Sequence, residues 1–99
     1  MRIEYKHRLN NEEAYLRVEQ SLRNLKQEYS DQIKNIKTNW TSGNKRMSFS
    51  MEIMGFGTSG EIYLQNSQII LDGKLPFLAK PFSGKIEGMI KRELEKVFD

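Results

Sequence analysis

Between residues 36 and 75 the chain alternates apolar and polar side chains, and nearly all of the apolar ones fall on one side. Because successive side chains of a β-strand point to opposite faces, the alternation predicts four strands that share one apolar face. The other face is polar except at Ile70. A sheet with one face in water is antiparallel and buries its other face under helices. The predicted inward-facing residues are Ile36, Thr38 and Trp40 on the first of these strands, Met47, Phe49, Met51 and Ile53 on the second, Gly60, Ile62 and Leu64 on the third, and Ile69, Leu71 and Leu75 on the fourth.

One further strand and two amphipathic helices are predicted around this segment. Residues 2–9 alternate strictly, which indicates a first strand with His7 on its apolar face. Asn10 and Asn11 precede two glutamates and an apolar stripe at spacings of three and four, so a helix is predicted over residues 11–29. A second helix is predicted to begin near residues 81–83, with apolar positions at Phe82, Ile86, Met89, Ile90, Leu94 and Val97.

The order of these elements predicts an α+β fold. We expect a two-layer sandwich of order β-α-β-β-β-β-α, with both helices packed on one face of an antiparallel sheet, similar to a shortened helix-grip arrangement. The predicted turns are Ser42–Lys45, Gly55–Gly57 and Asn66–Ser67. A chain of 99 residues is long enough for one core, so residues 1–99 are predicted to form a single domain.

The composition of the chain excludes several classes of function. The chain has no cysteine, one histidine and a net charge of +3 without basic tracts. Disulfides, thiolate nucleophiles and sulfur-ligated zinc are therefore excluded, and neither a metal site, a cofactor site nor specific nucleic-acid binding is expected. No segment reaches the roughly 18 apolar residues of a membrane span, and we expect a soluble, cytoplasmic protein. The glycines at 55–60 precede a strand and not a helix, which favours a hairpin turn over a phosphate-binding loop.

Two features raise the question of catalysis. His7 is the sole histidine, and on an apolar strand face it is interpreted as a packed side chain. If Asn66–Ser67 is a two-residue turn, Glu61 lies across from Asp72, whereas a longer turn would place Glu61 opposite Lys74. Both carboxylates are expected on the wet face, where water weakens their coupling. No catalytic residue is therefore predicted, and an enzyme would need these carboxylates buried or their pKa raised.

The segment from residue 74 to residue 85 is the predicted binding site. Its apolar residues surround two prolines and are flanked by lysines, a pattern that suits a hydrophobic surface coated with anionic lipid, or a partner protein. The competing interpretation, which the sequence alone favours, is that Leu75, Phe77 and Phe82 close the end of the core. The predicted binding residues are Lys74, Leu75, Phe77, Leu78, Lys80, Phe82 and Lys85.

The stretch from Gly60 to Leu94 also carries a family resemblance, centred on Leu75, Phe77, Leu78, Pro81, Phe82, Lys85 and Ile86. Together with the strand around His7 and the first helix, it resembles the polyhydroxyalkanoic acid system family of small bacterial proteins associated with polyhydroxyalkanoate granules. The resemblance implies a non-enzymatic accessory protein whose partner is a polyester granule surface or its coat proteins. It supplies no catalytic residues.

Two alternatives stay open at this point. The first is a carrier of acyl or hydroxyacyl ligands, with a pocket between the sheet and the C-terminal helix. That pocket would be lined by Trp40, Phe49, Met51, Met89 and Ile90. The second is a homodimer, for which the edge of the first strand and the apolar loop each offer a surface.

Overall fold

The alternating segment forms four strands of a five-stranded antiparallel sheet, in a computed structural model that describes residues 1–98. The sheet order is β1-β5-β4-β3-β2, so the first strand pairs with the last and the edges are β1 and β2. Both helices pack on one face, which confirms the predicted α+β class and element order. The elements are β1 (Arg2–Lys6), α1 (Asn11–Glu28), β2 (Ile33–Thr41), β3 (Arg46–Ile53), β4 (Phe56–Gln65), β5 (Gln68–Lys74), a 3₁₀-helix (Phe77–Phe82) and α2 (Ser83–Phe98).

Tight turns fix the register of the hairpins. Asn66 and Ser67 both have positive φ, the conformation of a two-residue turn whose twist matches that of the strands. Leu64 therefore faces Ile69, as predicted. The turn before β4 was predicted one residue too late, because the left-handed residues are Met54 and Gly55, with φ of 54° and 85°.

The edge strand β2 departs from strict alternation. Asn35 has a φ of 56°, and the register shifts between Lys34 and Lys37, which marks a β-bulge. The bulge makes Ile33 the buried residue at the start of the strand. Thr38 lies opposite Phe49 on the inner face, but it is exposed, so the prediction of a buried Thr38 is wrong. The edge of the sheet reaches beyond the cover that the helices provide.

Helix α1 begins at Asn11, directly after the predicted capping residue Asn10. The Asn10 side-chain oxygen accepts a hydrogen bond from the Glu13 amide at 2.9 Å. The apolar stripes of α1 and α2 both pack on the sheet, and the two helices contact each other. The largest fully buried side chains come from both layers and are Ile3, Met47, Leu64, Ile69 and Ile86.

Polar contacts tie the C-terminal end of α2 to α1. The Arg17 guanidinium donates to the Val97 carbonyl oxygen at 2.7 Å, which satisfies one of the free carbonyls at a helix end. Lys96, the residue before Val97, donates to the Glu28 carboxylate at the end of α1. These contacts fix α2 across the inner face of the sheet.

Two element boundaries differ from the prediction. Strand β1 ends at Lys6 and not at residue 9, since the chain bends away after the His7 amide donates to the Ser67 carbonyl. The segment predicted as a loop before α2 is a 3₁₀-helix, and Pro81 lies inside it. The α-helix itself begins at Ser83.

Substitution of Gly60 tests how closely β4 and β5 approach each other. A β-carbon at this position would lie 2.2 Å from the Asp72 carbonyl oxygen and 2.9 Å from Cζ of Phe49. Since the first of these atoms belongs to the backbone of β5, it has little freedom to move. Gly60→Ala is expected to lower the free energy of unfolding by about 3 kcal/mol, measured as a fall in the urea midpoint.

Gly57 in the same strand provides the matched control. A β-carbon there meets no atom within 4 Å, and the residue is exposed. Gly57→Ala should change the free energy of unfolding by no more than about 0.5 kcal/mol. Equal losses in the two variants would show that β4 and β5 do not approach each other as described.

Candidate functional site

The 3₁₀-helix from Phe77 to Phe82 links the sheet to α2 and sets the direction of its own apolar side chains. With three residues per turn, Ala79 and Phe82 fall on one side, whereas Phe77 and Leu78 fall on the others. Ala79 is fully buried, and its amide donates to the Pro76 carbonyl at 2.9 Å. The small residue is thus the inward anchor of the segment.

The large side chains of this segment face solvent. Phe77 is 77% exposed, Leu78 is 76% exposed and Phe82 is 41% exposed. The interpretation that they close the core is therefore wrong for Phe77, whereas Phe82 buries more than half of its surface. It is right for Leu75, which packs against the core and is half-buried. We call Phe77, Leu78 and Phe82 the apolar patch.

Lysines flank the apolar patch along the chain, and Lys80 contacts it. The Lys80 ammonium lies 5.3 Å from the centre of the Phe77 ring, within the range of a cation–π contact. Lys74 and Lys85 are exposed at either end of the segment, and no acidic residue occurs from 74 to 86. The ring of Phe82 packs on Phe56 of β4 with centres 5.7 Å apart, which attaches the patch to the sheet.

A comparison with protein families matches residues 1–98 to the family described as "putative polyhydroxyalkanoic acid system protein". The chain belongs to this family. The match spans the sheet, both helices and the apolar patch, which confirms the resemblance seen in the sequence over the whole described fold. Searches of curated proteins and of solved structures each found no match.

The outer face of the sheet holds Glu61 and Asp72, the two carboxylates that were considered as a catalytic pair. Glu61 pairs with Asp72 in the register, as the two-residue turn predicts. Glu61 is bound by Arg46, whose Nε donates at 3.0 Å, and by the Tyr63 hydroxyl. Hydrogen bonds from Arg46 and Tyr63 lower the pKa of Glu61. A general acid needs the opposite shift, so Glu61 lacks the raised pKa expected of one.

His7 is half-buried at the end of β1, where its ring lies 5.1 Å from that of Phe98. Its Nδ1 accepts a hydrogen bond from the Leu9 amide at 3.0 Å. Burial lowers the pKa of His7. The contacts are those of a packing residue, which agrees with the interpretation drawn from the sequence.

A cavity of about 60 Å³ lies between the sheet and the helices. Of the five residues predicted to line a pocket, all except Trp40 line this one. Trp40 instead packs edge-on against Tyr15 and donates its indole N–H to the Glu19 carboxylate at 2.6 Å. The contact fastens the edge strand β2 to α1, away from the cavity.

Within residues 1–98, no group of three or more His, Cys, Asp or Glu side chains is arranged to hold a metal ion. Over the same residues, neither helix has the length and apolar character that crossing a bilayer requires.

Sequence reasoning missed two buried polar residues in the helices, Ser21 and Glu93. Each sits within an apolar stripe: Ser21 follows Val18 by three residues, and Glu93 follows Met89 by four. That spacing was the available signal, because a polar residue at a stripe position faces the core.

The lowered pKa of His7 predicts a dependence of stability on pH. The unfolded chain, with an ordinary histidine pKa of about 6.5, binds a proton that the folded protein resists. The free energy of unfolding should therefore fall on acidification from about pH 7.5 to 5.5, and less so in His7→Gln. Urea unfolding of both proteins at the two pH values measures this difference. If both lose stability in parallel, His7 is not the group responsible.

Proposed function

We propose that this protein is a non-enzymatic, cytoplasmic accessory protein that docks onto a polyester granule coated with anionic lipid. The observation that carries the proposal is the exposure of Phe77 and Leu78 on a lysine-flanked segment that contains no acidic residue. Membership of the polyhydroxyalkanoic acid system family supports the choice of surface. The docking segment comprises Lys74, Leu75, Phe77, Leu78, Lys80, Phe82 and Lys85.

The apolar patch supplies the first part of the docking free energy. A Phe or Leu side chain that moves fully from water into an apolar phase gains roughly 1.5–3 kcal/mol. Phe77 and Leu78 keep more than three quarters of their surface in water, so both retain most of this gain for docking. The half-buried Leu75 serves to hold the segment to the core.

The lysines supply the second part of the docking free energy. A lysine near an anionic lipid surface contributes about 1 kcal/mol, and the contribution fades beyond a Debye length. Lys74, Lys80 and Lys85 lie along the same short segment as the patch, whereas the net charge of the whole chain is only +3. Attraction to an anionic surface is therefore local to this end of the molecule and should be sensitive to salt.

The segment is also ordered before it binds. Pro76 and Pro81 restrict the backbone, Ala79 is buried, and Phe82 packs on Phe56. A surface that is ordered in advance loses less conformational entropy on binding. This favours a fixed docking face over a flexible tail.

Co-sedimentation with polyhydroxybutyrate particles coated with anionic phospholipid tests the proposal. The wild-type protein should bind, and added salt should weaken binding. The double substitution Phe77→Ser with Leu78→Ser should weaken binding by about a hundredfold, because about 3 kcal/mol of apolar burial is lost. The urea midpoint of the variant should stay close to that of the wild type, since both side chains are exposed.

Leu16→Ser is the matched control, because Leu16 is 58% exposed on α1, outside the patch. This variant should bind like the wild type. Equal loss in the control and in the double variant would show that docking does not involve the patch. Unfolding of the double variant would show that Phe77 and Leu78 belong to the core.

A further inference from the structure

Strand β1 forms one edge of the sheet and leaves part of its backbone unpaired. The Met1 amino group donates to the Gly73 carbonyl oxygen at 2.9 Å, and the Gly73 amide donates to the Met1 carbonyl oxygen at 2.8 Å. Since hydrogen-bonded and non-hydrogen-bonded pairs alternate along an antiparallel ladder, the odd-numbered residues of β1 bond to β5. The amides and carbonyls of Arg2, Glu4 and Lys6 therefore point away from the sheet.

This free edge carries charges of both signs. The side chains of Arg2, Glu4 and Lys6 are exposed on the outer face of the sheet, and only Glu4 is acidic. The Arg2 guanidinium donates to the Glu4 carboxylate at 3.2 Å. Within residues 1–98, Lys6 makes no ion pair. An open edge is a template for another strand, and proteins commonly block it with lysines, prolines or bulges.

The opposite edge, β2, is blocked in this way. The bulge at Asn35 interrupts its ladder, and its charged residues, Lys34 and Lys37, are both lysines. Two copies of β2 side by side would therefore bring positive charges together without any carboxylate on the strand. Strand β1 lacks both devices, because its five residues pair with β5 without a register shift and include both signs of charge.

We propose that β1 pairs antiparallel with β1 of a second copy, which joins two five-stranded sheets into one of ten strands. Opposing residues of such a ladder either exchange hydrogen bonds or both point away, so even-numbered residues face even-numbered ones. In the register centred on Tyr5, Glu4 faces the partner's Lys6, and Lys6 faces the partner's Glu4. The register centred on Glu4 would instead place like charges opposite each other at every hydrogen-bonded pair, which is unfavourable.

A register centred on Ile3 also pairs opposite charges, since Arg2 then faces the partner's Glu4. It leaves Lys6 beyond the end of the ladder, however, whereas the register centred on Tyr5 gives Lys6 a carboxylate. Ile3 is already 2% exposed and gains no burial, whereas Tyr5 is half-buried. Pairing of Tyr5 with the partner's Tyr5 removes more surface from water, because side chains of a non-hydrogen-bonded pair lie closest together.

Sedimentation equilibrium of the protein from about 1 μM to 1 mM measures the association. The expected result is a reversible monomer–dimer equilibrium, since a short strand pair buries a small interface. Glu4→Lys places lysine opposite lysine, and Lys6→Glu places glutamate opposite glutamate, so each variant alone should dimerise at least about tenfold more weakly. An equimolar mixture of the two variants restores both attractive pairs and should dimerise like the wild type.

Two further variants are matched controls. Lys37→Glu on β2 has the same net charge as Lys6→Glu and should dimerise like the wild type. The double substitution Phe77→Ser with Leu78→Ser should also do so, because the apolar patch lies on the 3₁₀-helix and not on β1. The urea midpoints of all these variants should stay close to that of the wild type, since the substituted side chains are exposed.

Four results would overturn the proposed pairing. They are a wild-type protein that stays monomeric over this range, a Lys6→Glu variant that dimerises like the wild type, a mixture of the two charge variants that fails to associate, and assemblies larger than a dimer. Loss of the dimer in the variant of Phe77 and Leu78 would also do so, because the contact would then belong to the apolar patch. These measurements contain no particles, so their outcome is independent of docking on granules.

Discussion

Two helices bury one face of the sheet, and this packing sets the position of the other elements. The sheet cannot be covered by α1 alone, so α2 has to lie beside it on the same face. The chain leaves β5 in the layer of the sheet and must reach the helical layer within a few residues. The 3₁₀-helix makes this step, and its only fully buried residue is Ala79. The exposure of Phe77 and Leu78 follows from that geometry.

The same two-layer arrangement explains the position of the cavity. Where α1 and α2 meet above the sheet, the helices contribute Ser21 and Glu93 to an otherwise apolar wall. A larger apolar side chain at either position would fill space and remove a buried polar group, a change that often stabilises a core. The chain nevertheless carries buried polar residues at both positions.

Much of the fold follows from the sequence, because its periodicities are regular and its turns contain residues that tolerate positive φ. The alternation from Met47 to Ile53 and the Asn66–Ser67 turn fix strands and register without tertiary information. The bulge at Asn35 could not be predicted from the sequence, because a single left-handed residue does not change the apolar pattern. The pairing of β1 with β5 could not be predicted either, because these strands are far apart in the chain and meet only in the folded sheet.

The candidate site was harder to predict than the fold. Apolar composition identified the segment from 74 to 85 but not the direction of its side chains, because a loop and a 3₁₀-helix present different faces. Glu93 was overlooked because a charged residue in a helix is usually exposed. In each case the decisive quantity was burial, which depends on residues far away in sequence.

Site-specific labelling measures most directly whether the apolar patch enters a granule surface, as we propose. The chain has no cysteine, so Leu78→Cys, Leu16→Cys and Asn39→Cys each provide one attachment point for an environment-sensitive fluorophore. On addition of polyhydroxybutyrate particles coated with anionic lipid, the label at position 78 should shift to the blue, while labels on α1 and on the outer sheet face should not. An unchanged label at position 78, with a shift at either of the other positions, would contradict docking through the patch.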